Sequence, residues 1–335
     1  LSRSAEVRVF DDPIVREEIF SHLEKALGIT VFHYTPNFFG LYNRKWMVAT
    51  NVGELFIKCY HPRRYDLTDV ECRTRIEHSQ SVQQLIHEQA HIATKIWLRD
   101  GNHIMRSDKG HYYVVMQHFQ GNMITPGMAD SQVMNRIGQA MGQMHRVMSG
   151  IAVPSEAWRP SLQELSDQWR TNYEEAGEAE HRNNRAFLAI TKQGLLLSDL
   201  DLSMFDCLQP GWAHWDCWAD NLLVGTDGSI CFVDFDKVRY SYPAIDIARI
   251  LLSGSLHHGQ LRQEPVQAFL AGYREIDSFP VGMLPLALKL LWCREAHWWL
   301  KNGMDESSVP PKRFAEEMIW LTEHWHSLES CLKHW

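Results

Sequence analysis

A chain of 335 residues with 45% hydrophobic and 22% charged residues can bury a sizeable core and divide into two domains or two lobes. Its formal net charge of -8 argues against general affinity for nucleic acid or an anionic membrane, and is compatible with a cationic substrate. Seven cysteines with no CxxC pair fit free thiols in a reducing cytosol. The N-terminus has no basic segment followed by an apolar core, and no apolar run has membrane-spanning length. The expectation is therefore a cytoplasmic protein with no nucleic-acid or membrane partner; the oligomeric state is left open.

Residues 13–27 place Ile14, Ile19, Leu23 and Leu27 near helical spacing, with Asp12 before Pro13 as a start signal and Gly28 as a stop. Residues 31–34, 40–50 and 54–60 predict three antiparallel strands, with a first turn over 36–43 and a second at Asn51-Val52-Gly53. Alternation puts Phe56 and Lys58 on one strand face, and alone Lys58 reads as an edge-strand lysine in solvent. Residues 61–78 are charged and predict an irregular surface insertion. A helix is expected over 81–98, with Val82, Leu85, Ile86, Ala90, Ala93 and Trp97 on its apolar face. On it, Glu88 reads either as a surface glutamate or as a group reaching across to a strand lysine. Residues 111–119 predict a further strand, forming a small sheet with residues 102–105.

From Asp130 onward the pattern turns helical. Val133, Ile137, Met141, Met144 and Met148 form a stripe of core character, and His145 at its end reads as packed and hydrogen-bonded. Two or three helices are expected over 161–207, separated by Gly177 and Gly194. More follow over 244–335, with breaks at Pro265, Pro280, Pro285 and Pro310-Pro311.

Between these helical regions, residues 212–246 are densest in chemistry. Leu222-Leu223-Val224 and Ile230-Cys231-Phe232-Val233 have strand length, and Gly225-Thr226-Asp227-Gly228 is turn chemistry. His214, Asp216 and Asn221 precede this hairpin, and Asp234 and Asp236 follow it. The turn is expected to bring Asn221 and Asp234 side by side as hard oxygen donors suited to Mg2+, with Asp216 a nearby proton acceptor.

His214-x-Asp216-x4-Asn221 followed by Asp234-Phe235-Asp236 resembles the catalytic and metal-binding loops of the protein-kinase-like fold. The form is most similar to the aminoglycoside phosphotransferase and choline kinase superfamily, with five residues from Asp216 to Asn221 and thirteen from Asn221 to Asp234. Phe39-Gly40-x-x-Asn43 resembles its phosphate-covering turn, Lys58 its phosphate-binding lysine, and Glu88 the glutamate that positions that lysine. Met116, Gln117 and Phe119 resemble the adenine-contacting hinge, with Leu223 beneath the ring, and Asp246-Ile247-Ala248 the segment supporting the metal loop.

That resemblance implies an α+β bilobal fold, with a small antiparallel-sheet lobe over 1–119, a hinge at 116–121 and a larger helical lobe over 120–335. It also implies ATP and Mg2+ as cofactors, Asp216 as the base, Asn221 and Asp234 as metal ligands, and a small-molecule hydroxyl as acceptor. Trp215 stands where relatives often carry glycine, and Phe235-Asp236 follows Asp234 where Phe-Gly is usual. The latter variant, with no APE-like segment after it, suits a small-molecule kinase better than a protein kinase.

The acceptor stays open between an amino-bearing antibiotic or amino alcohol and a metabolite such as homoserine, thiamine or a sugar-like compound. Trp292, Glu295, His297, Trp298, Trp299 and Asp305 read either as a cation-binding cluster or as core tryptophans beside solvated charges. Two rival classes are a catalytically inactive kinase-like binding protein and a metal hydrolase using His214, Asp216 and Asp234.

Overall fold

The computed structural model describes residues 11–38, 42–179, 184–306 and 311–332. They fall into two compact units, one within residues 1–121 with 231–237 and the other within residues 122–230 with 238–335. The architecture is α+β, with a small antiparallel sheet in the first unit and a mainly helical second unit.

In the first unit, α1 (Pro13–Leu27) starts where the Asp12 carboxylate accepts from the Ile14 and Val15 amides, and it stops at Gly28, whose φ of 66° is left-handed. Its Val15, Ile19 and Leu23 bury against Trp46, Leu55, Ile57 and Tyr113. Each such aliphatic side chain removed from water contributes about 1.5–3 kcal/mol. Strands β1 (Val31–Pro36), β2 (Arg44–Thr50) and β3 (Gly53–Cys59) form the expected meander.

The next helix, α2 (Val70–Ala90), corrects two expectations. It begins inside the stretch read as irregular, where Asp69 caps the Cys72 amide, and it ends before the predicted 98. The stop is His91 at φ 57°, a left-handed cap without the glycine that would have signalled it. Beyond it, Ala93 bridges Phe232 in parallel and Ile96 bridges Met116. Residues 231–237 thereby join the first unit.

Strands β4 (Met105–Arg106) and β5 (Tyr112–Gln117) complete a sheet of order β1-β2-β3-β5-β4. β3 is therefore its central strand, and Lys58, opposite Lys45 on β2 and Val114 on β5, is buried instead of edge-exposed.

The chain enters the second unit within β6 (Gly121–Met123), and α3 (Ser131–Ser149) follows, capped by Asp130. Met134, Ile137, Met141, Met144 and Met148 are buried, as the methionine stripe predicts. The pair α4 (Leu162–Glu178) and α5 (Asn184–Ser198) follows. Gly194 does not separate helices. It lies inside α5, where a Cβ would stand 2.3 Å from the Trp169 ring.

Short strands come next: β7 (Gly211–Ala213), β8 (Leu222–Gly225), β9 (Ile230–Phe232) and β10 (Arg239–Ser241). β7 pairs antiparallel with β10. The chain passes from the second unit to the first within β9.

Helix α6 (Ala244–Ser255) is buried along its whole length, and a two-strand turn (β11, Leu256–His257; β12, Gln260–Leu261) leads to α7 (Gln263–Ile276). The unit closes with α8 (Leu284–Trp299), α9 (Pro311–His324) and α10 (Leu328–Leu332). Pro265, Pro285 and Pro311 lie in the first turns of α7, α8 and α9, so they begin helices instead of breaking them. Pro310 is outside the described residues.

Candidate active site

In the second unit the site is built on the segment between β7 and β8. Asp246, in the first turn of α6 and fully buried, accepts the His214 amide at 2.6 Å on one carboxylate oxygen and the Trp215 amide at 2.9 Å on the other. His145 Nε2 lies 3.3 Å from the same carboxylate, and its Nδ1 is 2.8 Å from the Tyr273 hydroxyl. Burial opposes the charge on Asp246, but the His145 hydrogen bond and the nearby His145 and His214 rings hold its carboxyl below the usual range.

Two consecutive amides converge on one carboxylate because Trp215 is left-handed, at φ 70°. This explains why glycine is common there among the proteins the loop resembles. Here the cost of an L side chain in that region is offset by packing, with the Arg294 guanidinium 4.3 Å from the Trp215 ring centre and Trp158 edge-on at 4.9 Å.

Asp216 follows and is 8% exposed. Its backbone carbonyl accepts from the Trp218 amide and from Asn221 Nδ2, each at 2.8 Å. Its Oδ1 accepts from the Trp218 indole at 3.1 Å. Asn221 ends a 3-10 turn (Ala219–Asn221) that enters β8. Because its NH2 is committed to Asp216, its amide oxygen is the atom left to act as a hard donor. Leu223, on β8, is partly exposed.

In the first unit, Lys58 Nζ donates to Asp234 Oδ1 and Asp236 Oδ2, both at 2.6 Å. Asp236 Oδ1 also accepts from the Tyr60 hydroxyl at 3.2 Å and Gln80 Nε2 at 3.1 Å. Burial disfavours the lysine charge, but the two carboxylates outweigh it and hold the Lys58 pKa above its ordinary value. Burial likewise opposes ionisation of Asp234, yet Lys58, with Lys45 beyond it, holds that carboxyl well below the usual range. Burial and the like charge of Asp234 push the Asp236 carboxyl up in spite of Lys58. Asp234 is thus the ionised, half-open carboxylate of the pair, its side chain 31% exposed, and it sits at a left-handed φ of 64°. That donor chemistry suits a hard divalent cation.

Glu88 is not the partner of Lys58. It is exposed, with its carboxylate accepting from Gln84 at 2.7 Å, and α2 presents Gln80 toward Asp236 instead. The family resemblance named Glu88 for that role, whereas the residue read alone as a surface glutamate, and it lies at the surface.

Asn43 caps the His61 amide at 3.0 Å, while Phe39, Gly40 and Leu41 lie outside the described residues. In the hinge segment, Met116 is buried at the end of β5, and the Gln117 amide is taken by the Lys95 carbonyl at 2.8 Å. The Gln117 side chain is exposed and Phe119 is half-buried.

Of the aromatic and acidic residues near the C-terminus, Trp292, Glu295 and Asp305 are buried, His297 and Trp299 are partly buried, and Trp298 is exposed. Trp292 is fully buried and donates to Thr322 at 2.8 Å, and Glu295, 1% exposed, is ion-paired to Arg249 and Arg294. Burial lowers the His297 pKa to about 4, so that ring is neutral at pH 7. The cation-binding reading of the cluster fails because arginines from within the same unit already occupy Glu295. Among the described residues, no group of three or more His, Cys, Asp or Glu could hold a metal ion, which counts against the metal-hydrolase reading. All seven cysteines are free.

Residues 35–284 match the model of the phosphotransferase enzyme family, and the chain belongs to that family. It is a phosphotransferase with an alcohol group as acceptor, a small-molecule kinase.

The fold is shared with solved structures at low identity. An aminoglycoside phosphotransferase from Alicyclobacillus acidocaldarius is 15% identical, with TM-score 0.64 and coverage of 99% of this chain and 97% of that one. A microcompartment-associated aminopropanol kinase is 17% identical, with TM-score 0.64 and coverage of 95% and 98%. An amicoumacin kinase solved with AMP-PNP, Ca2+ and Ami is 14% identical, with TM-score 0.62 and 96% of each chain covered. No curated protein matches the chain.

Proposed function

We propose that this chain transfers the γ-phosphoryl group of ATP, with Mg2+, to a hydroxyl of a small amino-bearing molecule such as an amino alcohol or an aminated antibiotic. The observation that carries the reading is the buried Lys58 ammonium held at 2.6 Å by Asp234, the first carboxylate of the Asp-Phe-Asp segment. A fixed cation beside an ionised, half-open carboxylate is the pairing a triphosphate and its metal require.

In this reading Asn221 and Asp234 hold Mg2+, which when bound neutralises charge on the phosphates. Lys58 contributes a fixed positive charge to the same phosphates. Asn43 belongs to the turn covering them, and Met116, Gln117, Phe119 and Leu223 receive the adenine. Asp216 orients the acceptor hydroxyl and takes its proton, which requires only that its carboxylate be held in place. The amino-bearing acceptor is supported by the amino alcohol named for the aminopropanol kinase and by the net charge of -8, which suits a cationic partner.

Asp216→Asn is expected to lower kcat by about 10²–10⁴-fold while leaving nucleotide affinity near that of the unaltered protein. Turnover at the unaltered rate would remove Asp216 as the base. A phosphate-transfer screen with aminopropanol, ethanolamine, aminoglycosides, homoserine, thiamine and neutral sugars identifies the acceptor. Exclusive turnover of neutral sugars would overturn the amino-bearing reading, and no turnover with intact ATP binding would favour an inactive binding protein.

A further inference from the structure

We propose that Trp218 is a positioning residue that fixes the Asp216 carboxylate through its indole N–H, and that a buried ion cluster from three helices fixes Trp218 in turn. The proposal rests on Asp216 being the base.

The indole donates to Asp216 Oδ1 at 3.1 Å, two residues along the same loop. A carboxylate on so short a side chain keeps one rotamer only when something holds it. An N–H at this distance gives it a direction without neutralising it.

The ring itself is clamped. The Arg249 guanidinium of α6 lies 3.6 Å from the Trp218 ring centre, and Phe314 of α9 packs against the ring at 3.6 Å. Arg249 donates to Glu295 of α8 at 2.9 Å and also pairs with Glu317 of α9. Glu295 spends its other oxygen on Arg294, whose guanidinium donates to the Trp215 carbonyl and stacks on the Trp215 ring. One carboxylate therefore ties together two arginines, and each arginine stacks on a tryptophan flanking Asp216. An indole is the side chain that meets both demands at position 218. Its face accepts a cation while its edge donates a hydrogen bond, and phenylalanine supplies only the first.

The test uses Trp218→Phe, which retains the ring for Arg249 and Phe314 and deletes the donor. With 15N-tryptophan labelling, the indole resonance missing from this variant identifies Trp218. In Asp216→Asn, that resonance is expected to shift more than any other indole; a shift no larger than the rest overturns the contact.

Phosphate release from MgATP, with water as the only acceptor, supplies the kinetic arm. Trp218→Phe is expected to lower kcat by about tenfold to a hundredfold with KM for ATP unchanged and the protein still fully folded at the assay temperature. In the Asp216→Asn background the same substitution should cause no further loss. An unchanged kcat, an equal loss in both backgrounds, or a loss that follows unfolding at the assay temperature overturns the proposal. If Asp216→Asn releases phosphate at the unaltered rate while the indole still shifts, the base assignment has failed and the positioning role falls with it, although the contact is real.

Discussion

Lys58 is an ammonium taken out of water at the centre of a sheet, and two aspartates replace the solvent it lost. Removing the cation would leave two buried or half-buried carboxylates facing each other. Lys58→Met is expected to destabilise the protein by about 3–5 kcal/mol, read as a fall in Tm or in the denaturant midpoint. A variant as stable as the unaltered protein would show that the pair contributes little to the fold. Asp246 acts by similar logic with backbone donors. Asp246→Ala leaves the His214 and Trp215 amides without their acceptor and the left-handed Trp215 without its tether, at a cost of about 1–3 kcal/mol.

At the scale of elements, α3 and α7 approach each other backbone to backbone through two glycines. A Cβ on Gly138 would stand 2.1 Å from the Phe269 carbonyl oxygen, and one on Gly272 would stand 2.1 Å from that of Asn135. The obstacles are backbone atoms and cannot swing aside. Gly272→Ala should destabilise by at least about 1–3 kcal/mol, although alanine is the better helix former. An increase in Tm would mean that the helices separate at little cost.

Helix α2 shows what periodicity could not reveal. Its first half is charged on the outside, with Ile76, Ser79 and Gln80 buried, so no apolar repeat announced it, and its end is marked by His91 instead of glycine. Conversely, α1, the meander and the strands β8 and β9 were legible because their caps, turns and alternation are written within a few residues.

Across the whole molecule, the two units share a dependence on acidity. Asp234 in the first and Asp246 in the second both have carboxyls held below their ordinary value in the folded state. Such groups stabilise above the unfolded carboxylate pKa, and that contribution is lost as pH falls through the folded values. Tm is therefore expected to drop steeply below about pH 4, and Asp246→Asn to flatten that drop. Glu317 has the opposite sign. Burial, opposed by Arg249 and Arg313, raises it to about 7, so its contribution is full below the ordinary glutamate range and is lost as pH rises through about 7. Glu317→Gln should reduce the decline of Tm between pH 6 and 8; an identical decline in both proteins would count against the raised carboxyl.

The sequence by itself determined the family likeness, the α+β order of elements and the loops bearing Asp216, Asn221 and Asp234, because those residues lie within nineteen positions around one turn. Tertiary structure alone decided that Lys58 pairs with Asp234 and Asp236 instead of Glu88, and that Glu295 serves two internal arginines instead of a ligand. Caps, turns and periodicity act over a few bonds and are visible in order along the chain. The partner of a buried charge, 176 residues away for Lys58 and Asp234, is chosen by which segments pack side by side.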